Sequence, residues 1–175
     1  MMEKFAMISL LQDIFQEDAL KIANWLEDEE ILTFLNEEEN INRRIRHLVS
    51  ISNIPLYTQV FNTKNSFYLI CLHEKPIGFV KFTPDQAHHE IVLAIGEKQL
   101  WGKGHGKDAL KKALCEAFIS RRYARVHAKI KAQNSRSLSL FQHLSFGLED
   151  GLETTLHLFI DFKTFLKMAA NKGWN

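Results

Sequence analysis

The stretch that decides the fold runs from residue 94 to residue 110 and reads Ala94-Ile-Gly-Glu-Lys-Gln-Leu-Trp-Gly-Lys-Gly-His-Gly-Lys-Asp-Ala-Leu110. An apolar segment over residues 90–95 predicts a strand, and residues 108–120 predict a helix after a loop with three alternating glycines. Such glycines let several backbone N–H groups point at one place, beside the positive end of a helix dipole. The loop therefore predicts a site for an anion such as a pyrophosphate, with Lys103 and Lys107 adding positive charge.

The spacing of the glycines excludes two common phosphate-binding motifs. Residues 102–107 lack the Gly-Lys-Ser/Thr of a P-loop, and they also fail the Gly-x-Gly-x-x-Gly dinucleotide fingerprint. They resemble the acetyl-CoA loop of the GNAT N-acetyltransferase superfamily, Gln/Arg-x-x-Gly-x-Gly, which Gln99, Gly102 and Gly104 match literally. We prefer the register ending in Gly104 and Gly106, directly before the helix, although it puts Trp101 where the family has Gln or Arg.

Length and composition indicate one globular domain over residues 1–175. A net charge of +1 gives no overall attraction to nucleic acid or to a membrane surface, and no apolar run is long enough to span a membrane. Two cysteines are too few for a disulfide framework and no secretory pattern is present, so we expect a cytoplasmic protein. Both a monomer and a homodimer remain open.

Charge is unevenly distributed along the chain. Residues 1–50 hold eleven acidic and five basic side chains, whereas residues 98–131 hold ten basic and two acidic ones. These are either two solvated faces, or a basic half for a phosphorylated cofactor and an acidic half for a cationic acceptor. On the second interpretation the acidic segments at 27–30 and 37–39 make Glu29 and Glu30 candidate acceptor-binding residues. Tyr57 lies in a predicted irregular segment, residues 53–65, which is a candidate substrate loop.

The order of predicted elements is strand, two or three helices, three strands, helix, strand, helix and two strands. The predicted strands cover residues 5–11, 66–72, 77–82, 89–96, 124–131, 147–152 and 155–162, and the predicted helices cover 17–27, 31–35, 41–52, 108–120 and 134–144. The tail, residues 163–175, is compatible with a helix. This order resembles the GNAT fold over nearly the whole chain, which implies an α/β protein with a mixed, mostly antiparallel sheet flanked by helices.

A second motif carries the same resemblance. Asn134-Ser-Arg-Ser137-Leu-Ser-Leu-Phe141-Gln-His-Leu-Ser145-Phe146 is similar to the family's Asn-x-x-Ser-apolar-x-x-Tyr-x-x-x-Gly-Phe. The resemblance implies an enzyme that moves an acetyl group from acetyl-CoA directly to a primary amine of a small molecule or a peptide N-terminus. The local Trp-Gly-Lys-Gly resembles the branch that acetylates the N-termini of ribosomal proteins. A CoA-binding module without catalysis and an aminoglycoside-modifying acetyltransferase stay open as alternatives.

Most of the candidate site residues are assigned by this resemblance to the cofactor. Backbone groups at 94–96 would pair with the pantetheine arm, N–H groups at 101–107 would hold the pyrophosphate, and the second motif would line the thiol end. The candidate cofactor-binding residues are Ala94, Ile95, Gly96, Trp101, Gly102, Lys103, Gly104, His105, Gly106, Lys107, Asn134, Ser137 and Phe141.

The candidate catalytic residue is Glu90. Phe141 stands where many members have a Tyr assigned as general acid, and Lys129 stands where some have a Glu. Glu90, however, matches the general base of the superfamily's histone acetyltransferases, and an ammonium must lose a proton before it can attack. The alternative is that Glu90 is a solvated residue at the start of a strand. We expect no metal site, because no distant ligand pair accompanies His88, His89 and Glu90.

Overall fold

The structure, a computed structural model, describes residues 7–35, 40–64, 66–86, 88–152 and 154–171. Its strands are β1 (Ile8–Leu11), β2 (Ser66–Leu72), β3 (Lys75–Asp85), β4 (His88–Ile95), β5 (Arg125–Lys131), β6 (Gly147–Leu152) and β7 (Thr155–Asp161). Its helices are α1 (Gln16–Trp25), α2 (Glu29–Phe34), α3 (Ile41–Ile51), α4 (Thr58–Phe61), α5 (His105–Cys115), α6 (Ser135–His143) and α7 (Phe162–Asn171). A π-helical segment, Glu116–Ser120, follows α5 directly.

The strands form a mixed sheet in the order β1-β2-β3-β4-β5-β7-β6. Antiparallel pairing joins β1 to β2, β5 to β7 and β6 to β7, whereas β4 and β5 run parallel. Helices separate β1 from β2, β4 from β5 and β5 from β6, and α7 follows β7. The predicted α/β class, with a mostly antiparallel sheet flanked by helices, is confirmed.

The residues group into two compact units, which we describe separately. The first unit comprises Met1–Lys81 and Leu93–Ala109, and the second comprises Phe82–Val92 and Leu110–Asn175. β3, β4 and α5 each contribute residues to both units. The single domain over residues 1–175 stays a prediction.

In the first unit, carboxylates mark the points where the first two helices begin. The Asp18 carboxylate accepts the Phe15 N–H at 2.9 Å before α1, and the Asp28 carboxylate accepts the Glu30 N–H at 3.0 Å before α2. These bonds satisfy N–H groups that a helix start leaves without intrahelical partners. α1 packs on α3 and buries Ile22 completely, as the helical spacing of its apolar residues predicts.

In the second unit, β5 has one buried face and one polar face. Val126 and Ala128 are buried, whereas Arg125, His127 and Lys129 alternate with them and are only partly exposed. Successive strand residues point to opposite sides of a sheet, so these three polar side chains share one face. Lys129 of this face contacts Glu90, the candidate catalytic residue, which lies on the neighbouring strand β4.

Several boundaries differ from those that the sequence predicts. β3 is longer than residues 77–82 at both ends, and α4 lies inside the segment 53–65 that was expected to be irregular. α5 begins at His105 rather than at residue 108, because the Gly104 carbonyl already accepts the N–H groups of Lys107 and Asp108 at 3.0 and 3.1 Å. The tail does form a helix, α7, and residues 5 and 6 of the first predicted strand lie outside the described residues.

Candidate functional site

The glycine loop, residues 101–107, uses backbone angles that favour glycine. Gly102 has φ of +74° and Gly104 has φ of +87°, and both lie in the left-handed region. A Cβ added at either position would meet no protein atom within 4 Å. The loop backbone therefore faces open space immediately before α5, whose first turn presents N–H groups and the positive end of the helix dipole. This geometry fits an anion bound by the backbone.

Two N–H groups of this loop are engaged within the protein. The Trp101 N–H donates to the Lys98 carbonyl at 3.0 Å, and the Lys107 N–H donates to the Gly104 carbonyl at 3.0 Å. The backbone N–H groups proposed for an anion are therefore those of residues 102–106, a shorter segment than the predicted 101–107. The Lys103 side chain is exposed beside it.

The acidic residues at the start of α2 contact the strand exit that leads to the glycine loop. The Lys98 ammonium lies 2.7 Å from the Asp28 carboxylate and 3.1 Å from the Glu30 carboxylate. Hydrogen bonds, first to Asp28 and then to Glu30, raise the pKa of Lys98. These pairs link residues about seventy positions apart, although exposed ion pairs of this kind contribute little to stability. Glu30 thus has a partner within the protein.

The other residues of the predicted acidic surface differ in their contacts. Glu27 is paired with Arg46 at 2.8 Å, and the Arg46 hydrogen bond lowers the pKa of Glu27. The Glu29 backbone carbonyl accepts the Thr33 hydroxyl at 2.6 Å. Residues 37–39 lie outside the described residues. The cationic side chains of Arg46 and Lys98 weaken the negative potential that the sequence predicts for this surface. Binding of the acceptor by Glu29 and Glu30 stays a prediction.

A tight contact forms at the end of β4, between Gly96 and Trp25. A Cβ added to Gly96 would collide with the indole ring of Trp25. The ring is held in place because its N–H donates to the Glu97 carboxylate at 3.2 Å, and the same carboxylate lies 3.2 Å from the Lys21 ammonium. Glycine at position 96 therefore has a packing explanation in addition to any role with the cofactor.

Two backbone groups in the predicted pantetheine segment are also engaged. The Gly96 N–H donates to the Ile77 carbonyl at 2.8 Å, and the Ile95 carbonyl accepts the Trp101 indole N–H at 2.7 Å. Trp101, which replaces the family's Gln or Arg, thus ties the loop back to the strand that precedes it. Pairing of Ala94, Ile95 and Gly96 with the pantetheine arm stays a prediction. It would use backbone groups other than the Gly96 N–H and the Ile95 carbonyl, which are already hydrogen-bonded.

We expect Gly96→Ala to lower the free energy of unfolding by about 1–3 kcal/mol, because the added methyl group overlaps the Trp25 ring. Trp25→Leu in the same chain should recover part of that loss, since the smaller side chain leaves room for the methyl group. Urea unfolding of the wild type, both single variants and the double variant measures the coupling. Strictly additive effects would contradict the contact.

In the second unit, Glu90 forms an ion pair that the sequence does not reveal. Its side chain is 16% exposed and accepts a hydrogen bond from the Lys129 ammonium at 2.8 Å. Lys129 also lies 3.0 Å from Asp85, and the hydrogen bonds that its ammonium donates, first to Glu90 and then to Asp85, raise the pKa of Lys129. Lys129, which replaces a Glu of some family members, therefore holds the predicted base in one orientation.

His127 lies opposite Glu90 on the neighbouring parallel strand, a pairing that the sequence does not reveal. His127 is the Cα partner of Glu90, and its Nδ1 lies 3.1 Å from the Glu149 carboxylate. Burial, the largest cause, lowers the pKa of His127. A carboxylate can only accept, so Nδ1 carries a proton where it meets Glu149. Nε2 is buried, has no hydrogen-bond partner among the described residues, and lies in a ring that stacks on His88 at 4.7 Å.

The second motif is brought together at the start of α6. The Asn134 side chain accepts the Ser137 N–H at 3.1 Å and so caps the helix. Phe141 is 4% exposed and packs edge-to-face on Phe146, with ring centroids 4.8 Å apart. These contacts explain the motif as local structure, and its contacts with the cofactor stay predictions.

Tyr57, the candidate substrate-loop residue, is buried rather than displayed. It is 1% exposed, its hydroxyl donates to the Ser52 carbonyl at 3.2 Å, and its N–H donates to the Ile14 carbonyl at 2.7 Å. These bonds fix the chain before α4. A direct contact between Tyr57 and the acceptor stays a prediction.

Within the described residues, no group of three or more His, Cys, Asp or Glu side chains could hold a metal ion. Among the same residues, no helix combines the length and apolar content needed to cross a bilayer.

Comparisons with known proteins agree with this fold. A sequence model of the acetyltransferase (GNAT) domain matches residues 10–147. An uncharacterised N-acetyltransferase, p20 of Bacillus licheniformis, is 25% identical over 139 residues, which cover 76% of this chain and 75% of that protein. The spermidine N-acetyltransferase of Vibrio cholerae, solved with CoA and spermine, is 15% identical with a TM-score of 0.76, covering 91% of this chain and 98% of that one. An aminoglycoside acetyltransferase solved with coenzyme A is 12% identical with a TM-score of 0.73, covering 92% and 98%.

The chain belongs to the GNAT acetyltransferase family. It is an acetyl-CoA-dependent N-acetyltransferase, so the predicted enzyme class and the predicted acetyl donor are confirmed. The two solved structures are less than 25% identical to this chain, and their similarity shows the common fold.

Proposed function

We propose that this enzyme moves the acetyl group directly to a primary amine, carried by a small molecule or by a peptide N-terminus. The observation that carries the proposal is the pair of left-handed glycines, 102 and 104, directly before α5, with open space where side chains would lie. The Trp-Gly-Lys-Gly sequence, which resembles the ribosomal-protein N-terminal acetyltransferase branch, supports a peptide as one possible acceptor.

In the proposed donor site, segment 102–106 supplies backbone N–H groups and Lys103 and Lys107 supply positive charge. His105 and Gly106 lie in the first turn of α5 and contribute through their backbone. In the second unit, Asn134, Ser137 and Phe141 are the proposed contacts for the thiol end. Each assignment rests on the family resemblance together with the local geometry described above.

Glu90 is the proposed general base. Bound acetyl-CoA supplies an acetyl thioester, and transfer to an ammonium gives an amide, the free CoA thiol and one proton. Ordinary amine pKa values are ~10.4 for lysine side chains and ~8 for α-amines, so most of the acceptor is charged at neutral pH. The Glu90 carboxylate, held by Lys129 at 2.8 Å, would take the proton that the ammonium must lose.

The acceptor class is open to a direct test. Two structural relatives are named for spermidine and for aminoglycosides. The exposed Glu29 supports a cationic acceptor for this chain, whereas Glu30 is already paired with Lys98. We would measure CoA thiol release with separate panels of aminoglycosides, polyamines and peptides, and confirm each acetylated product by mass. We expect release that depends on an amine. Tight acetyl-CoA binding without release for any amine would contradict the proposal and indicate a binding module.

We expect Phe141→Tyr to change turnover by less than about tenfold, because general acid catalysis contributes ~10²–10⁴-fold where it operates and no acid is proposed at this position. The residue is 4% exposed, so the added hydroxyl must find a partner or lower the stability. Turnover measured at a temperature where both proteins are folded separates the two effects. A gain of about a hundredfold would show that the natural chain lacks an acid that it needs.

A further inference from the structure

The backbone at the end of β4 is fixed by hydrogen bonds to β3 and to the glycine loop. The Gly96 N–H donates to the Ile77 carbonyl of β3 at 2.8 Å, and the Ile95 carbonyl accepts the Trp101 indole N–H at 2.7 Å. The first bond holds the segment proposed for the pantetheine arm against the sheet. The second bond joins that segment to the start of the glycine loop, and all four residues lie in the first unit.

The glycine loop has few other attachments to the protein. Within the described part of the chain, the N–H groups of residues 102–104 donate to no backbone carbonyl, and these three residues are exposed. A Cβ added at Gly102 or Gly104 would meet no protein atom within 4 Å, so packing does not hold the loop in place. Glycine also gives a backbone more conformations than other residues allow. The position of the loop therefore depends on its two ends, Trp101 and the first turn of α5.

One donor molecule must reach both segments. Acetyl-CoA carries its pyrophosphate and its pantetheine arm in one covalent chain, and the proposed site assigns the first to residues 102–106 and the second to residues 94–96. When two parts of a ligand are linked, binding of one raises the effective concentration of the other, but only if the distance between their sites matches the linker. A contact that fixes this distance in the free protein also reduces the entropy lost on binding.

We infer that Trp101 is a positioning residue for acetyl-CoA, and that its indole N–H sets the spacing between the pantetheine segment and the pyrophosphate loop. The backbone N–H of Trp101 donates to the Lys98 carbonyl at 3.0 Å and closes the 3₁₀ turn Lys98–Leu100, so the ring projects from a fixed turn. The side chain acts through the Ile95 carbonyl and needs no contact with the donor. The inference rests on the donor site proposed above.

The test compares intact acetyl-CoA with two fragments of it. ADP contains the pyrophosphate without the pantetheine arm, and S-acetylpantetheine contains the arm without the pyrophosphate. Trp101→Phe keeps an aromatic ring but removes the N–H donor. We expect it to weaken acetyl-CoA binding about tenfold, the upper end of what one neutral hydrogen bond contributes, while the affinity of each fragment changes less than about twofold. Calorimetry measures acetyl-CoA binding, and ligand-observed NMR titration measures the weaker fragments.

Trp25→Phe is the matched control. It also removes an indole N–H from the end of β4, but that N–H donates to the Glu97 side chain at 3.2 Å and not to the backbone that meets the loop. Because Trp25 is 5% exposed, we expect this variant to lose at least as much stability as Trp101→Phe, measured by urea unfolding. Its affinity for acetyl-CoA should nevertheless change less than about twofold.

Steady-state kinetics gives a second measurement that a general loss of stability would not reproduce. In Trp101→Phe, KM for acetyl-CoA should rise about tenfold, whereas kcat and KM for the amine should change less than about twofold. A fall in kcat with an unchanged KM for acetyl-CoA would overturn the inference.

The binding results separate the inference from the donor site on which it rests. Equal losses for acetyl-CoA and both fragments in Trp101→Phe, or equal acetyl-CoA losses in Trp101→Phe and Trp25→Phe, would overturn a role in spacing. If Gly104→Val weakens ADP binding but Trp101→Phe leaves acetyl-CoA affinity unchanged, the inference fails and the donor site stands. If Gly104→Val leaves ADP binding unchanged, the donor site itself is contradicted and the inference fails with it.

Discussion

Glu90→Gln should lower kcat/KM by roughly 10²–10⁴-fold at neutral pH, the usual contribution of a general base. The substitution keeps the size of the side chain but removes its ability to take a proton from the ammonium. The loss should shrink as the pH approaches the pKa of the amine itself, because the acceptor then loses its proton to solvent. Initial rates of thiol release across the pH range measure both effects.

Asp85→Asn is the matched control for that experiment. Asp85 contacts the same ammonium, Lys129 at 3.0 Å, but is 46% exposed on its side chain and has no proposed part in the chemistry. We expect its effect to stay below about tenfold. If Glu90→Gln leaves kcat/KM unchanged, or lowers it equally at every pH, the base lies elsewhere. His89 and His127, whose pKa values burial lowers, would then be tested next.

Gly104→Val should remove measurable acetyl-CoA binding while leaving the protein folded. At φ of +87° a β-branched residue is strongly disfavoured, and its side chain would enter the open space in front of the loop. The cost to the fold should be limited to backbone strain of about 1–2 kcal/mol, because an added Cβ meets no protein atom within 4 Å. Calorimetry with acetyl-CoA measures binding, and thermal unfolding measures the strain.

Gly102→Val carries a similar backbone strain at φ of +74° and distinguishes the two registers of the loop motif. If the register ending in Gly104 and Gly106 is correct, Gly102→Val should weaken binding less than Gly104→Val. Unchanged affinity for acetyl-CoA in a folded Gly104→Val protein would contradict the assignment of this loop as the pyrophosphate site.

The fold was predictable because its elements carry local signals. The apolar spacing of α1 foretold the complete burial of Ala19, Ile22 and Ala23. The short helix α4 was missed because four residues are too few to show a period. The start of α5 was placed too late, since glycines usually mark a loop but here Gly106 lies inside the first turn.

The site was predictable only where it is continuous in sequence. The glycine loop was recognised from its own residues, whereas the pair of Glu90 and Lys129 requires the register of two strands and of their connection. The pair of Lys98 and Asp28 likewise depends on residues distant in sequence. Hydrophobic periodicity states which face of an element is buried, but it does not state which element will cover it.

Intact-mass analysis of the protein is the most direct test of whether the acetyl group passes directly from acetyl-CoA to the amine. The enzyme is incubated with acetyl-CoA alone and then with its best amine, while thiol release is followed in both samples. We predict no acetyl group on the protein, no thiol release without the amine, and one acetyl group gained by the amine in its presence. An acetylated protein that forms without the amine and passes its acetyl group on when the amine is added would contradict direct transfer; the exposed Cys115 would be examined first.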